Sequence, residues 1–273
     1  MQLKQAILPI AGLGTRFLPW TKVVPKELLP LGNQPIIALL VDECMSAGIT
    51  DICFVISHGK ELIPQYFYEN PALEEELKKR GKLEMLKQLQ KYDAVNFHIV
   101  YQEEQLGDGH AIMQATDWVS SDAVAILFGD DLIMGKKTGL EQLADAYEKL
   151  PKEKNGSAIL CLENVPKELV SKYGIVDIEK DSGDRLKRVK GLVEKPKPEL
   201  APSTLGIVGK YIIPKSTFEV FPQLNGDHHT EIRLIDALIR QLPTTPIYGY
   251  EVEGTRVDTG TPEGYKKAVQ MMG

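Results

Sequence analysis

The sequence predicts an α/β fold: a single Rossmann-like domain with a mainly parallel, mixed central sheet flanked by helices. Short β-rich runs alternate with helical stretches along the earlier part of the chain. Looser strand-like runs separated by turn residues follow Pro151. A length of 273 residues is enough to bury one substantial core. Such sheets bind ligands beyond the carboxyl ends of their strands, so functional side chains are expected there.

Hydrophobic patterns place the individual elements in chain order. Strands are predicted at QAILPIAG, DICFVIS, NFHIVYQ and DAVAILFGDD, and helices at QPIIALLVDECMSAG, GHAIMQATDWV and TGLEQLADAYEKL. After Pro151, further strands of the same sheet are predicted at GSAILCLENV, YGIVDIE, RLKRVKGLVEK and TLGIVGKYIIP. Two more helices are predicted at EIRLIDALIRQL and PEGYKKAVQMM, with the strand IYGYEVEG between them. This βαβ order favours a largely parallel first part and a mixed second part.

A highly charged segment near residues 71–92 predicts a helical insertion. Its leucines recur at partly helical spacings. They are Leu73, Leu77, Leu83, Leu86 and Leu89. We interpret the segment as a solvated insertion that packs one side on the domain, with a contact to another subunit as the alternative.

The composition disfavours several classes of protein. No apolar run approaches the roughly 18 residues of a membrane span, and the short apolar stretch near the N-terminus resembles a strand more than a signal peptide. Cys44, Cys53 and Cys161 stand singly, without the C-x-x-C spacing of zinc or redox sites. A net charge of −6 argues against nucleic-acid binding. We therefore expect a soluble cytoplasmic protein without membrane or nucleic-acid partners.

A glycine-rich loop directly follows the first predicted strand. It reads Gly12-Leu13-Gly14-Thr15-Arg16, and Lys26 comes shortly after it. Glycines let backbone amides approach a phosphate, and the arginine and lysine add positive charge, so the loop is a candidate triphosphate cradle. A tight turn with solvated cations is the alternative. Phe17 breaks both the Walker A and the dinucleotide-binding patterns, which disfavours an NAD-dependent dehydrogenase.

The stretch from Ala11 to Pro30 reads A-G-x-G-T-R-F-L-P-x-T-K-x-x-P-K-E-x-L-P. It resembles the signature of bacterial UTP–glucose-1-phosphate uridylyltransferases and of the wider sugar-1-phosphate nucleotidyltransferase family. The resemblance continues in order along the chain, at Gln102, Gly107-Asp108-Gly109-His110-Ala111, Gly129-Asp130-Asp131, Tyr173-Gly174-Ile175-Val176, Val193-Glu194-Lys195-Pro196, Ile207-Val208-Gly209-Lys210-Tyr211, Glu231-Ile232 and Asp258-Thr259-Gly260.

This resemblance implies a reaction of UTP with glucose 1-phosphate that yields UDP-glucose and pyrophosphate. It implies a nucleotide-binding part near residues 1–150, a sugar-phosphate-binding part near 151–273, and a homo-oligomer, either dimer or tetramer. The implied uracil contacts are Ala11, Gly12, Gln102 and Gly107. The implied triphosphate contacts are Gly14, Thr15, Arg16 and Lys26. Gly174 would let the glucose ring approach, Glu194 would hold sugar hydroxyls and Lys195 the sugar phosphate. The expected catalytic residues are Arg16, Lys26, Asp130 and Lys195.

Two aspartates are the candidate ligands of a magnesium ion. Asp130 follows the apolar run AVAILFG, which should deliver a carboxylate to the ligand-binding edge of the sheet. By resemblance, Asp258 matches the second metal-site aspartate of glucose-1-phosphate thymidylyltransferases. A nucleotide-bound magnesium needs only one or two protein carboxylates. The alternatives are that Asp131 starts a turn or helix and that Asp258 caps the helix beginning near Pro262.

Several features leave other activities open. The run Asp258-Thr259-Gly260 departs from the D-C-G common in uridylyltransferases, so a thymidylyl- or cytidylyltransferase is an alternative. A catalytically silent nucleotide-sugar-binding protein is another, although the retained catalytic set argues against it. Pro196 predicts an extended backbone at Lys195. The pair His228-His229 and the aromatic Trp20 depart from the family pattern and receive no role.

Overall fold

The computed structural model describes residues 3–151, 156–179, 184–224 and 231–272. Its strands are β1 (Gln5–Pro9), β2 (Pro30–Leu31), β3 (Gln34–Pro35), β4 (Asp51–Ile56), β5 (Asn96–Tyr101), β6 (Ala123–Leu127), β7 (Asp131–Met134), β8 (Ala158–Asn164), β9 (Gly174–Ile178), β10 (Leu186–Glu194), β11 (Leu205–Pro214), β12 (Ile247–Glu251) and β13 (Thr255–Asp258). Its α-helices are α1 (Ile36–Ser46), α2 (Leu62–Gln65), α3 (Pro71–Lys79), α4 (Leu83–Leu89), α5 (Asp108–Met113), α6 (Gly139–Tyr147), α7 (Leu234–Gln241) and α8 (Pro262–Met272).

The central sheet runs in the order β5-β4-β1-β6-β11-β8-β12-β10-β9. Strands β5, β4, β1 and β6 are parallel to their neighbours within this group. From β6 onward the pairs are antiparallel, except that β12 runs parallel to β8. The predicted α/β class is therefore confirmed, and the parallel pairing is concentrated in the first part of the chain.

The sheet is covered on both faces, and its strands alternate between two apolar layers. In β1, Ala6 and Leu8 pack in the layer that contains α1, α6 and α8, whereas Ile7 faces the layer of α5 and α7. Every residue of β6 is buried, as expected for a strand with helices on both sides. This rigid centre places the loops after β1 and β6 side by side at the same edge of the sheet.

The charged insertion is helical, as the sequence predicts, but it consists of two helices. α3 ends before Gly81, whose φ of +67° suits glycine and lets the chain turn into α4. Leu86 is buried, whereas Leu73, Leu83 and Leu89 are exposed. The insertion is therefore largely solvated, in agreement with the favoured interpretation.

Two short ribbons, β2–β3 and β7–β13, lie outside the central sheet. The second ribbon is important for the site because it pairs Asp131 with Asp258, residues far apart in sequence. Cys44, Cys53 and Cys161 are free and buried. Within the described ranges, no helix combines the length and the apolar character that a bilayer span requires.

Candidate active site

An open cleft of about 750 Å³ lies at the carboxyl ends of the parallel strands. Most of the residues predicted to bind phosphate, metal or sugar line it. These are Arg16, Asp130, Gly174, Glu194, Lys195 and Asp258. The sequence separates them by more than 200 positions, so the fold assembles them as the strand-end rule predicts.

The glycine-rich loop is held in a fixed shape. Gly14 has a φ of +66°, and its carbonyl accepts a hydrogen bond from the Thr21 hydroxyl at 2.8 Å. At Gly12, an added Cβ would meet no atom within 4 Å, so its backbone faces open space. Thr15 begins a short 3-10 helix, and the Arg16 guanidinium donates to the Gly260 carbonyl at 3.3 Å. The loop is thus tied to the segment that follows Asp258.

Lys26 and Asp130 form an ion pair with 2.9 Å between Nζ and Oδ2, and Asp130 lines the cleft. Burial alone would lower the pKa of Lys26, but the carboxylates of Asp130 and Glu27 outweigh it and raise that pKa. Burial would raise the pKa of Asp130, and the Lys26 ammonium reverses this and lowers it. Both groups are therefore charged at neutral pH.

Asp130 and its neighbour Asp131 have different partners. The carboxylate of Asp131 binds the Arg256 guanidinium at 2.6 Å from Nε, and Asp131 begins β7. The suggestion that Asp131 starts a turn or helix is therefore wrong. The main-chain carbonyl of Asp130 accepts from the Thr259 amide at 2.7 Å. Asp130 is thus the member of the pair that faces Lys26, whereas Asp131 is paired with Arg256.

Asp258 approaches Asp130 from β13. If Gly260 carried a Cβ, that atom would lie 2.7 Å from Asp130 Oδ2 and 3.1 Å from Asp258 Oδ1. Asp258 Oδ1 accepts from the Gly260 amide at 2.8 Å, whereas the Thr261 hydroxyl caps α8 by accepting from Gly264 at 3.0 Å. The alternative that Asp258 caps this helix is therefore wrong.

This pair of carboxylates offers oxygen ligands of the kind that a divalent cation prefers. In the described ranges there is no group of three or more metal-ligating acidic, histidine or cysteine side chains. A nucleotide-bound magnesium does not need one, since phosphates and water supply its other oxygen ligands. Gly260 keeps the space beside Asp130 and Asp258 free of a side chain.

The residues predicted to bind the base meet beside the turn before α5. Gln102 is buried, and its Nε2 donates to the Gly107 carbonyl at 3.0 Å. Gly107 has a φ of +102°, and an added Cβ would lie 2.5 Å from the carbonyl oxygen of Ile232. Ala11 is joined to the neighbouring loop by a hydrogen bond of 3.4 Å from the Gln105 amide to its carbonyl. The predicted uracil contacts after β1, Ala11 and Gly12, therefore lie beside those after β5, Gln102 and Gly107.

On the sugar side, Glu194 ends β10 and pairs with Gly174 of β9. A Cβ on Gly174 would lie 2.6 Å from Ile235 Cδ1 and 3.2 Å from Glu194 Oε2, so no larger residue fits without a shift. Lys195 forms an ion pair with Glu194 at 3.2 Å, and its side chain is 59 % exposed.

The backbone expected at Lys195 is wrong. Pro196 predicted an extended conformation, but Lys195 has a φ of +46°, in the left-handed region that non-glycine residues seldom occupy. Its amide donates to the Tyr173 carbonyl at 3.0 Å, which holds the turn after β10. Strained backbone of this kind is concentrated at functional sites.

Four charged residues that line the cleft carried no predicted role: Asp108, Lys172, Arg233 and Arg256. Burial raises the pKa of Asp108 to about 6, and Glu194 adds to the shift against a hydrogen bond from the Leu234 amide. That hydrogen bond, at 2.7 Å to Oδ1, joins Asp108 to the start of α7. Two sequence features could have pointed to these residues: Asp108 stands between two glycines, and Arg256 lies two residues before Asp258. Trp20 is exposed, and His228-His229 lie outside the described residues.

Comparisons with known proteins agree with this site. The model of the family described as "Nucleotidyl transferase" matches residues 5–272. A UTP–glucose-1-phosphate uridylyltransferase of Komagataeibacter xylinus is 40 % identical over 95 % of this chain and 90 % of its own length. A protein of the same name from Staphylococcus haemolyticus (strain JCSC1435) is 38 % identical over 97 % and 91 %. The solved UTP-bound UGPase from Acinetobacter baumannii superposes with a TM-score of 0.89 at 34 % identity, covering 99 % of this chain and 93 % of that one.

The cleft joins a cation-bearing glycine loop to a pair of carboxylates, and the family match extends over nearly the whole chain. Together, these findings identify the chain as an enzyme of the nucleotidyl transferase family.

Proposed function

We propose that this enzyme transfers the uridylyl group of UTP to glucose 1-phosphate, forming UDP-glucose and pyrophosphate. The observation that carries the proposal is that one cleft is lined by Arg16 of the glycine-rich loop, by Asp130 in contact with its partner Lys26, and by the sugar-side residues Glu194 and Lys195. The names of the uridylyltransferases similar to the chain over nearly its full length support the choice of substrates.

The chemistry needs no general base. The phosphate of glucose 1-phosphate is mostly dianionic at neutral pH, given a second pKa near about 6, so one of its oxygens can attack directly. A bond forms between this oxygen and the α-phosphorus of UTP, and the bond from that phosphorus to the oxygen of the leaving pyrophosphate breaks. The main tasks of the protein are to align two anions and to neutralise the charge that develops on the leaving group.

Arg16 and Lys26 carry out the second task in our proposal. Arg16 lines the cleft, and Lys26 is paired with Asp130, which lines it as well. Gly14 and Thr15 directly precede Arg16 and would add backbone amides to the same loop. The contact with the Asp130 carboxylate orients the Lys26 ammonium. Magnesium would be held by Asp130 and Asp258. When bound, it would supply positive charge to the phosphate oxygens.

The remaining residues position the two substrates. Ala11, Gly12, Gln102 and Gly107 would hold the uracil, and Gly174 would leave room for the sugar ring. Glu194 would accept hydrogen bonds from sugar hydroxyls, and Lys195 would bind the sugar phosphate. The division into a nucleotide part near 1–150 and a sugar part near 151–273, the homo-oligomer and the cytoplasmic location stay predictions.

A second candidate function, a thymidylyltransferase, differs from the proposed one in the nucleotide base that the enzyme accepts. Thr259, which stands where uridylyltransferases more often have cysteine, favoured a thymidylyltransferase. However, Thr259 is buried and its hydroxyl donates to the main-chain carbonyl of Asp130 at 3.1 Å. It therefore supports the loop of the proposed metal ligand and not the turn at Gly107, so this position is a weak indicator of the base.

We expect UTP with glucose 1-phosphate to give the highest kcat/KM in a panel of nucleoside triphosphates. The measurement is pyrophosphate release with UTP, dTTP, CTP, ATP and GTP, each paired with glucose 1-phosphate and galactose 1-phosphate. A tenfold preference for dTTP, equivalent to only about 1.4 kcal/mol, would make the enzyme a thymidylyltransferase. Absence of pyrophosphate release in every pairing would favour the silent binding protein.

We expect Lys195→Ala to raise the KM for glucose 1-phosphate more than the KM for UTP. Lys195 lies beside Glu194 on the sugar side of the cleft, and its exposed ammonium is available to a phosphate. We expect this KM to rise roughly tenfold, which corresponds to the lower end of the free energies of hydrogen bonds to charged groups. Initial rates with each substrate varied in turn give both constants. An unchanged KM for glucose 1-phosphate would restrict Lys195 to the surface ion pair.

A further inference from the structure

A buried ion pair joins Lys60 to Glu27, the residue that follows Lys26. The Lys60 Nζ is 3.1 and 3.0 Å from the two carboxylate oxygens of Glu27 and 2.6 Å from the main-chain carbonyl of Ile10. The side chains are 8 % and 1 % exposed. Burial lowers the pKa of Lys60, and the Glu27 carboxylate opposes this shift. One ammonium group therefore binds three oxygens from two separate parts of the chain.

These two parts lead directly into the proposed catalytic groups. Ile10 precedes the glycine-rich loop, and Glu27 follows Lys26. The segment at Gly129 packs closely against both Ile10 and Glu27. A Cβ added to Gly129 would lie 2.9 Å from Ile10 Cγ2 and 3.4 Å from Glu27 Cγ. Gly129 is the residue before Asp130. Along the chain, the glycine-rich loop begins two residues after Ile10, Lys26 directly precedes Glu27, and Asp130 directly follows Gly129. Each proposed catalytic group is therefore next to a segment that meets at the Lys60–Glu27 pair.

We propose that Lys60 and Glu27 are positioning residues, which set the spacing of the glycine-rich loop, Lys26 and Asp130 for transfer. The inference rests on the proposed function and extends it to two side chains that do not line the cleft.

Stability alone is a weak explanation for such a pair. A buried ion pair can often be replaced by apolar residues of similar volume without loss of stability, because desolvation offsets much of the attraction. Directed hydrogen bonds, by contrast, fix distances between segments. A misplacement of about 1 Å at reacting groups can reduce a rate by about 100-fold.

The test compares Lys60→Met with the double variant Lys60→Met/Glu27→Met. The single variant leaves the Glu27 carboxylate buried without its partner, so we expect it to lose both stability and turnover. The double variant removes both charges while keeping apolar volume and loses only the hydrogen bond to the Ile10 carbonyl, so we expect its Tm to recover most of the loss seen in the single variant. Its kcat should remain about 100-fold below wild type, with little change in the KM for glucose 1-phosphate.

Thr217→Val is the matched control for loss of buried polar contact. The Thr217 hydroxyl donates to Gln241 Oε1 at 2.8 Å, and both residues are buried away from the cleft. We expect this variant to lower Tm and to leave kcat unchanged. The positioning role is overturned if the double variant recovers kcat together with Tm, since the pair would then be structural only. A wild-type chain that is inactive in the nucleotide panel would overturn the proposed function instead.

Discussion

Asp130→Asn will reduce kcat by at least about 100-fold, the size of effect seen when a preorganised electrostatic contact is removed. Asparagine has the size of aspartate but lacks the charge that attracts a hard cation and orients Lys26. The variant should remain folded. Asp130 is paired with a single ammonium and its side chain is 30 % exposed, so only a small loss of Tm is expected. Pyrophosphate release and thermal unfolding measure the two effects.

Two neighbouring variants make this prediction specific. Asp258→Asn should need more magnesium and retain measurable turnover, because it leaves Asp130 in place on the rigid sheet edge. Asp131→Asn should mainly reduce stability, because it weakens the contact with Arg256. Normal turnover of Asp130→Asn together with an inactive Asp131→Asn would show that the neighbour is the metal ligand. Titration of magnesium for all three variants separates these cases.

Local patterns explain why much of the fold could be predicted. The apolar run before Asp130 is a buried strand, and the order of strands and helices follows the hydrophobic periodicity. Since parallel strands end at the same edge, the loop after β1 and the aspartate after β6 were expected to meet. The site residues most directly predicted by this reasoning are those at strand ends.

Long-range pairing could not be predicted in the same way. The ribbon of β7 with β13 has four residues in each strand, too few for a periodic signal, yet it brings Asp131 opposite Asp258. Asp108 meets the start of α7 through a hydrogen bond to Leu234, which lies 126 positions away. Such contacts depend on tertiary packing, and neither partner's local sequence specifies them.

At Lys195, tertiary contacts override the backbone conformation that the local sequence favours. The residue before a proline usually favours an extended conformation, and Lys195 instead has a positive φ. Its amide bonds to Tyr173, the residue before the glycine that pairs with Glu194. The hydrogen bond and the strand pairing together hold a conformation that the local sequence disfavours.

Lys26→Ala provides the complementary test of the charge pair. We expect kcat/KM to fall by roughly 10- to 150-fold, the equivalent of one charged hydrogen bond of about 1.5–3 kcal/mol. The reason is that Lys26 faces the negative charge that grows on the leaving pyrophosphate in the proposed reaction. Lys79→Ala on the exposed helix α3 is a suitable control, because it removes a lysine whose side chain is 65 % exposed and lies outside the cleft.

The response to magnesium should separate Lys26 from Asp130. The Lys26 ammonium contacts Asp130 Oδ2 at 2.9 Å, so it shares that carboxylate with any cation that Asp130 would hold. Removing the ammonium frees Asp130, so Lys26→Ala should need no more magnesium than the wild type even though its turnover is low. Asp130→Asn removes the ligand and should need more. If Lys26→Ala turns over normally, or if both variants show the same magnesium requirement, Lys26 does not act on the leaving group and serves only as the partner of Asp130.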